Sequence, residues 1–227
     1  MFVLPVIGLV LGTSFVPQRH ALRLLLHGLP ARRIAVFASM ALATMIAWSL
    51  VAALAIGGYV LAASFRQNAG AWAVLVSGYG LVVFLHGGLF ASLGLALAAF
   101  CRRRATALVV GLSLLILLGA VLPSLRSSWV DHYQLTHDNA YIMEMLRGDR
   151  SPDATYRALG LLSRIPTNAL LHASSQAFGA ADAIAFNRAP CPTCGPTGES
   201  DRLLVVVGTS VFLLLGGALA YAHREET

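Results

Sequence analysis

The chain has 227 residues, of which 57% are hydrophobic and 11% are charged. Soluble domains carry about a quarter charged residues, and a soluble chain of this length has too small a core to bury so much apolar surface. The composition therefore excludes an ordinary soluble domain and predicts an all-α fold, a polytopic transmembrane helical bundle. The basic residues are all arginine, and short arginine clusters alternate with long uncharged runs. No basic helix with interleaved aromatics occurs, so we expect no nucleic-acid binding.

Five apolar segments without Asp, Glu or Arg predict membrane spans at residues 2–16, 34–64, 71–100, 105–125 and 203–221. A span needs about 20 residues, so the first segment is short. The second and third exceed the bilayer thickness, which predicts tilt or a kink at Gly57-Gly58 and at Gly87-Gly88. The expected domains are residues 1–125 with four spans, residues 126–202 as a lobe, and residues 203–227 with the last span and tail.

Arginine placement predicts the orientation of these spans. The arginines that flank them are Arg19, Arg23, Arg32, Arg33, Arg102, Arg103, Arg104 and Arg224. If the chain crosses the membrane once at each predicted span, all of these arginines fall on the same side. The short loop on the other side has only Arg66. We therefore expect a multi-pass protein of the cell membrane (plasma or inner membrane), with the N-terminus of the given chain external and the C-terminus cytoplasmic.

The stretch between the fourth and fifth spans predicts an extracytoplasmic helical lobe over residues 126–202. Three short helices are expected there, over residues 138–145, 151–165 and 167–178. The second has the strongest start, Ser151-Pro152-Asp153, which combines a cap residue, proline at the first helical position and an acid near the positive helix end.

Residues 17–33, between the first two spans, are too polar to span a membrane and too apolar for a plain loop. Four leucines fall on one helical face at spacing i, i+3, i+4, i+7: Leu22, Leu25, Leu26 and Leu29. Arg19, Arg23 and His27 form a second stripe, and Pro30 ends the predicted helix. Such an amphipathic helix either lies on the membrane surface as a connector or docks in the groove of a partner.

The run Leu22-Arg-Leu-Leu-Leu-His-Gly-Leu-Pro-Ala-Arg-Arg33 resembles the T-L-x-x-L-L-x-x-P-v-x-R element of ABC-2 type transporter permeases. The run Ser163-Arg-Ile-Pro-Thr-Asn-Ala-Leu170 is similar to the family's l-s-P-x-x-x-f stretch before the last span. The order of spans, basic turn and lobe also agrees with that family. Within it, the chain looks nearest to the permease of the nitrous-oxide-reductase maturation transporter.

The resemblance implies that residues 17–33 form a cytoplasmic coupling helix that contacts an ATP-hydrolysing subunit, with site residues Arg19, Arg23, Leu25, Leu26, Pro30, Arg32 and Arg33. It implies a permease subunit, not an enzyme, that couples ATP hydrolysis on a separate chain to export of an unidentified substrate. Because the chain has no G-x-x-x-x-G-K-[ST] loop, ATP and Mg are expected on that ABC ATPase. The other expected partners are a second permease subunit, in a homodimer or heterodimer, and membrane lipid.

Two departures from the family pattern keep an alternative open. Family members usually have six spans, and this chain begins inside what would be the second, so we expect the first span to be missing from the given sequence. The family's glutamate and glycine before the coupling element are absent from residues 15–21. The alternative is a non-transporting accessory or immunity protein with a permease-like fold.

The pair Cys191-Pro-Thr-Cys194 lies in the predicted external tail. Outside the cytoplasm this pair can form a disulfide, and unpaired thiols or metal binding are the alternatives. A membrane thiol oxidoreductase that uses Cys191 and Cys194 is a further functional alternative. It would need a second redox pair, and the one remaining cysteine, Cys101, is predicted to be cytoplasmic.

His86 is an ionisable residue in the middle of the third span. It predicts either an intramembrane polar site for transport or proton transfer, or a neutral imidazole bonded to a neighbouring helix. In the same span Gly88, Ser92 and Ala96 repeat a small residue every four positions, which predicts close helix packing between subunits or within one. No residue set matches a metal site or a catalytic nucleophile, so neither is predicted.

Overall fold

The computed structural model describes residues 3–16, 33–64, 69–101, 103–138, 141, 144, 151, 153–163, 165–166 and 199–223. Within these residues the regular secondary structure is helical, and no strand occurs. The elements are α1 (Val3–Phe15), α2 (Arg33–Ser64), α3 (Ala69–Phe100), α4 (Arg104–Ile116), a π-helical turn (Leu117–Val121), α5 (Leu122–Thr136), α6 (Ala154–Ser163) and α7 (Glu199–His223). The all-α prediction is confirmed for this part of the chain.

Four helical stretches are long and apolar enough to cross a membrane: Arg33–Gly58, Val83–Phe100, Arg104–Tyr133 and Leu204–His223. They coincide with the second to fifth predicted spans, so the membrane-compatible character of the fold is confirmed. α1 is also apolar, but its 13 residues rise only about 20 Å at 1.5 Å per residue. Since the hydrocarbon core is about 30 Å thick, a fifth crossing stays a prediction.

The chain forms two compact units, one of residues 1–115 with 206–227 and one of residues 116–205. The first unit is a helical bundle around α3, whose side chains from Leu89 to Ala99 are almost all buried. α1 and α2 both pack on α3. At one end of the bundle an apolar cluster joins the ends of four helices, through Val16, Phe37, Met40, Leu95, Ala98, Ala99 and Tyr221.

The outward faces of this bundle are also apolar. α2 and α7 each expose large aliphatic side chains at every fourth position: Leu42, Ile46, Leu50 and Leu54, and Val211, Leu215 and Leu219. Contiguous apolar faces of this kind are expected where lipid is the solvent. The fully buried hydroxyl of Thr44 donates to the carbonyl oxygen of Met40 at 2.8 Å, so the helix itself satisfies this polar group, as an apolar environment requires.

A π-helical turn separates α4 from α5. Pro123 follows this turn and has no N–H to donate to the carbonyl of Gly119, four residues earlier, so the regular bonding ladder is interrupted there. The N–H of Leu122 instead bonds to the carbonyl oxygen of Leu117, five residues earlier. Such wide turns occur as single insertions in α-helices, and the helix continues to Thr136, beyond the predicted end of the span at residue 125.

In the second unit α5 and α6 pack around the buried pair Tyr133 and Leu159. A helix is present within the predicted range 151–165, but it begins at Ala154, later than the predicted start at Ser151. Asp153 provides the cap, because its Oδ1 accepts the N–H of Tyr156 at 2.7 Å. The other two predicted lobe helices, residues 138–145 and 167–178, lie largely or wholly outside the described residues.

Candidate functional site

The predicted coupling segment starts and finishes at the same end of the first unit. Of the site residues predicted in it, only Arg33 is described; the others, Arg19, Arg23, Leu25, Leu26, Pro30 and Arg32, lie outside the described residues. Val16, directly before the segment, is buried in the same apolar cluster as Phe37, in the first turns of α2. Val16 and Phe37, which lie on either side of the segment, therefore pack in one cluster of the bundle.

Arg33 joins the start of α2 to the end of α7. Its Nη1 donates to the carbonyl oxygen of Ala222 at 3.1 Å. Ala222 lies in the last turn of α7, where carbonyl oxygens have no donor within their own helix. A guanidinium at this place satisfies such a carbonyl and interacts favourably with the negative end of the helix dipole.

Arg104 makes a corresponding contact between α4 and α1. Arg104 is the first residue of α4, and its Nη2 donates to the Oγ of Ser14 in the last turn of α1. The Ser14 hydroxyl donates in turn to the carbonyl oxygen of Val10 at 2.6 Å. The start of α4 is thus bonded to the end of α1, just before the coupling segment begins.

We call this part of the bundle the basic end and define it by Arg33, Arg103 and Arg104. All three residues are exposed. α3 also finishes here, at Phe100, and is followed by the half-buried Cys101. The basic end therefore presents fixed positive charge around the place where the coupling segment leaves and re-enters the bundle.

Close packing of α1 on α3 positions one side of the basic end. Gly8 and Gly12 of α1 face Gly87 and Ala91 of α3, and a Cβ on Gly12 would come to 2.7 Å from the backbone nitrogen of Leu95. The two backbones are therefore in direct contact, as in G-x-x-x-G helix pairs. The sequence interpretation missed this pair, although the Gly8-x-x-x-Gly12 spacing in an apolar segment is a signal that could have identified it.

The small residues predicted to mediate helix packing have partners within this chain. The buried hydroxyl of Ser92 donates to the carbonyl oxygen of Gly88 at 2.9 Å. Ala96 faces α7, where a Cβ on Gly217 would come to 3.1 Å from the Ala96 Cα. Ala96 therefore packs on a helix of the same chain, and packing of these small residues between subunits stays a prediction.

The glycine pair Gly87-Gly88 makes room for the indole of Trp48 on α2. Trp48 is fully buried, and its Nε1 donates to the carbonyl oxygen of Phe84 at 2.9 Å. A Cβ on Gly87 would overlap the indole ring. Since α3 continues through this pair as one helix, the glycines have a direct packing role, and a kink there stays a prediction.

His86, the predicted intramembrane polar residue, lies on α3 beside this contact. Its Nε2 is buried and has no hydrogen-bond partner among the described residues. The ring lies 5.4 Å from that of Phe90, measured between centroids. The structure thus shows no bond from Nε2 to a neighbouring helix, and an imidazole nitrogen left in apolar surroundings destabilises the fold unless something binds it.

The cysteine pair Cys191 and Cys194 lies outside the described residues, so its predicted disulfide is not tested. Within the described part of the chain, no three His, Cys, Asp or Glu side chains are grouped so that they could hold a metal ion. The candidate site is therefore the basic end, with Arg33, Arg103 and Arg104 as its described members.

The described residues place the protein in a broad structural class, the helical proteins with several helices long and apolar enough to cross a membrane; four such helices are described. Comparisons of the chain with protein-family models, curated proteins and solved structures found no match. The resemblance of residues 22–33 to the coupling element of ABC-2 type permeases is therefore an argument from the residues themselves.

Proposed function

We propose that this chain is the membrane-spanning permease subunit of an ABC-2 type transporter, which couples ATP hydrolysis on a separate ATPase to export of a substrate. In this proposal the chain crosses the cell membrane five times, with the lobe of residues 126–202 outside and the C-terminus in the cytoplasm. ATP and Mg²⁺ bind the partner ATPase, and a second permease subunit completes the transporter.

The proposal rests on two hydrogen bonds at the basic end, one near each end of the coupling segment. Arg33 bonds the start of α2 to Ala222 of α7, and Arg104 bonds the start of α4 to Ser14 of α1. A displacement of the segment would therefore act on α4 and α7 as well as on its own neighbours, α1 and α2. A coupling element needs this property, because one docked ATPase has to move several spans together.

The charge distribution supports the proposed orientation. Arg33, Arg103 and Arg104 share one end of the bundle, and basic residues beside short loops favour the cytoplasmic side. In the predicted coupling helix the sequence places a leucine face beside an arginine stripe. That combination suits docking of a helix in an apolar groove with an acidic rim on a soluble partner.

Aspartate substitutions on the two faces of the predicted coupling helix test the proposal. Leu25→Asp and Leu26→Asp place a charge on the leucine face, whereas Leu24→Asp places the same charge on the opposite face and serves as the matched control. Each full-length variant carries a tag and is purified in mild detergent with the ATPase that accompanies the wild-type chain. ATPase recovered per permease is measured, and size-exclusion chromatography monitors folding.

We expect Leu25→Asp and Leu26→Asp to lower ATPase recovery at least tenfold while the permease itself remains monodisperse. Leu24→Asp should retain wild-type recovery. If Leu25→Asp and Leu26→Asp retain the ATPase at wild-type yield, the coupling assignment is wrong. A wild-type chain that recovers no ATPase would favour the non-transporting accessory protein.

A further inference from the structure

Arg103 and Arg104 lie at the basic end, where α3 has finished and α4 begins. Both side chains are exposed. Arg104 is also held in place, because its Nη2 donates to the Oγ of Ser14 at the end of α1. A guanidinium carries five N–H donors. The single bond to Ser14 therefore fixes the group and leaves it able to bond an acceptor from outside the protein.

The described residues of the first unit include no acidic side chain to balance these charges. In the sequence, residues 1–130 contain no Asp or Glu. The acidic residues of this unit are Glu225 and Glu226, which follow α7 and lie outside the described residues. The positive potential around Arg103 and Arg104 therefore favours an anion from outside the chain.

Exposed apolar side chains lie near the two arginines. Phe100, the last residue of α3, is 62% exposed. On α4, Val109 and Leu112 are 64% and 39% exposed. They follow Arg104 by about 7 and 12 Å along the helix axis, at 1.5 Å per residue. The exposed surface of α4 thus changes from guanidinium to aliphatic side chains within about two turns.

This succession of charged and apolar surface favours a lipid over a soluble acidic partner. An acidic protein surface would neutralise the arginines but leave Val109 and Leu112 uncovered. An anionic phospholipid covers both parts, because its phosphate meets the guanidinium groups and its acyl chains lie along the aliphatic side chains. α4 also opens the stretch Arg104–Tyr133, which is long and apolar enough to cross a membrane. Arginines at the start of such a stretch lie at the level of the headgroups.

We propose that Arg103 and Arg104, with Phe100 near them, form a binding site for an anionic phospholipid. Guanidinium groups bind phosphate oxygens through two parallel hydrogen bonds, and the bond to Ser14 positions Arg104 before the lipid arrives. The acyl chains pack on the exposed side chains of α3 and α4. The site requires a chain embedded in a membrane but no ATPase, so it holds or fails separately from the proposed transport function.

Native mass spectrometry of the full-length protein in detergent micelles tests the lipid site. Phosphatidylglycerol and phosphatidylcholine with identical acyl chains are titrated separately, and the dissociation constant of the first bound lipid is measured for each. Arg103→Gln removes one charge at an exposed side chain, and Arg103→Lys keeps the charge. Arg157→Gln makes the same change at an exposed arginine of α6 and serves as the matched control. Size-exclusion chromatography monitors folding.

We expect the wild-type protein to bind phosphatidylglycerol about tenfold more tightly than phosphatidylcholine, because basic side chains at the headgroup level attract anionic lipid. Arg103→Gln should weaken phosphatidylglycerol binding about fivefold and leave phosphatidylcholine binding unchanged. Arg103→Lys should retain most of the preference, and Arg157→Gln all of it. Equal wild-type affinity for the two lipids would overturn the proposal, and so would equal losses in Arg103→Gln and Arg157→Gln.

Two further measurements separate the lipid from other anions. An excess of inorganic phosphate should leave the bound phosphatidylglycerol in place, because phosphate has no acyl chains to pack on the exposed apolar side chains. Displacement of the lipid by phosphate would overturn the assignment. Arg103→Gln is also purified beside the wild-type chain from its own cells. Loss of a co-purifying ATPase in this variant, with unchanged lipid affinity, would assign Arg103 to a protein interface and contradict the lipid site.

Discussion

Replacement of Gly12 by alanine tests how closely α1 packs on α3. The added Cβ would lie 2.7 Å from the backbone nitrogen of Leu95 and closer still to the carbonyl oxygen of Ala91, whereas ordinary contact begins at 3.4 Å. Backbone atoms cannot rotate away, so the helices have to separate locally. A gap of about 0.5–1 Å forfeits a quarter to a half of the dispersion energy of the contacts that it opens.

The matched control is Gly57→Ala in α2, where a Cβ would have no atom within 4 Å. Both substitutions make the same change in helix propensity, about 1 kcal/mol in favour of alanine, so their difference isolates the contact. We expect Gly12→Ala to lower the free energy of unfolding by about 1–3 kcal/mol relative to Gly57→Ala. The measurement is unfolding in mixed micelles by titration with a denaturing detergent, followed by far-ultraviolet circular dichroism. Equal stability of the two variants would refute the close packing of α1 on α3.

Three further outcomes follow from the described contacts. Trp48→Phe should lower the free energy of unfolding by about 1–3 kcal/mol in the same assay, because the Phe84 carbonyl loses its indole donor and the smaller ring leaves a gap. An unchanged free energy of unfolding would argue against this hydrogen bond. His86→Leu should leave the free energy of unfolding unchanged or raise it by about 1 kcal/mol, since it removes a nitrogen, Nε2, that has no hydrogen-bond partner among the described residues. A clear loss of stability would argue that Nε2 does have a partner. Arg104→Ala should keep the ATPase bound but lower permease-dependent ATP hydrolysis several-fold, because it removes the bond to Ser14. Hydrolysis at the wild-type rate would show that this bond does not transmit motion.

The long helices could be predicted from the sequence because lipid leaves the backbone few choices. In an apolar solvent every N–H and C=O must bond within the segment, so a long apolar run becomes a helix of nearly the same length. The predicted spans at 34–64 and 71–100 correspond to helices Arg33–Ser64 and Ala69–Phe100. The predicted span at 105–125 lies within a longer helical stretch, from Arg104 to Thr136, which continues into polar residues that have no apolar pattern.

Helix partners could not be predicted in the same way. The spacing of small residues in α3 indicates close packing but does not say which helix approaches, and the Trp48 indole over Gly87 depends on the rotation of two helices. The contact between His137 and Asp153 has no sequence signal, since the two residues meet only when α6 packs on α5. Of the candidate site, Arg33 could be predicted by resemblance, whereas the contact of Arg104 with Ser14 needed the fold.

The measurement that tests the central claim most directly is purification of the tagged full-length chain from its own cells in mild detergent, with mass spectrometry of the co-purifying chains. A permease subunit should recover an ATPase with a phosphate-binding G-x-x-x-x-G-K-[ST] loop in near-stoichiometric amount, and the purified complex should hydrolyse ATP. Recovery of the chain without such an ATPase, and with no ATP hydrolysis, would contradict the assignment.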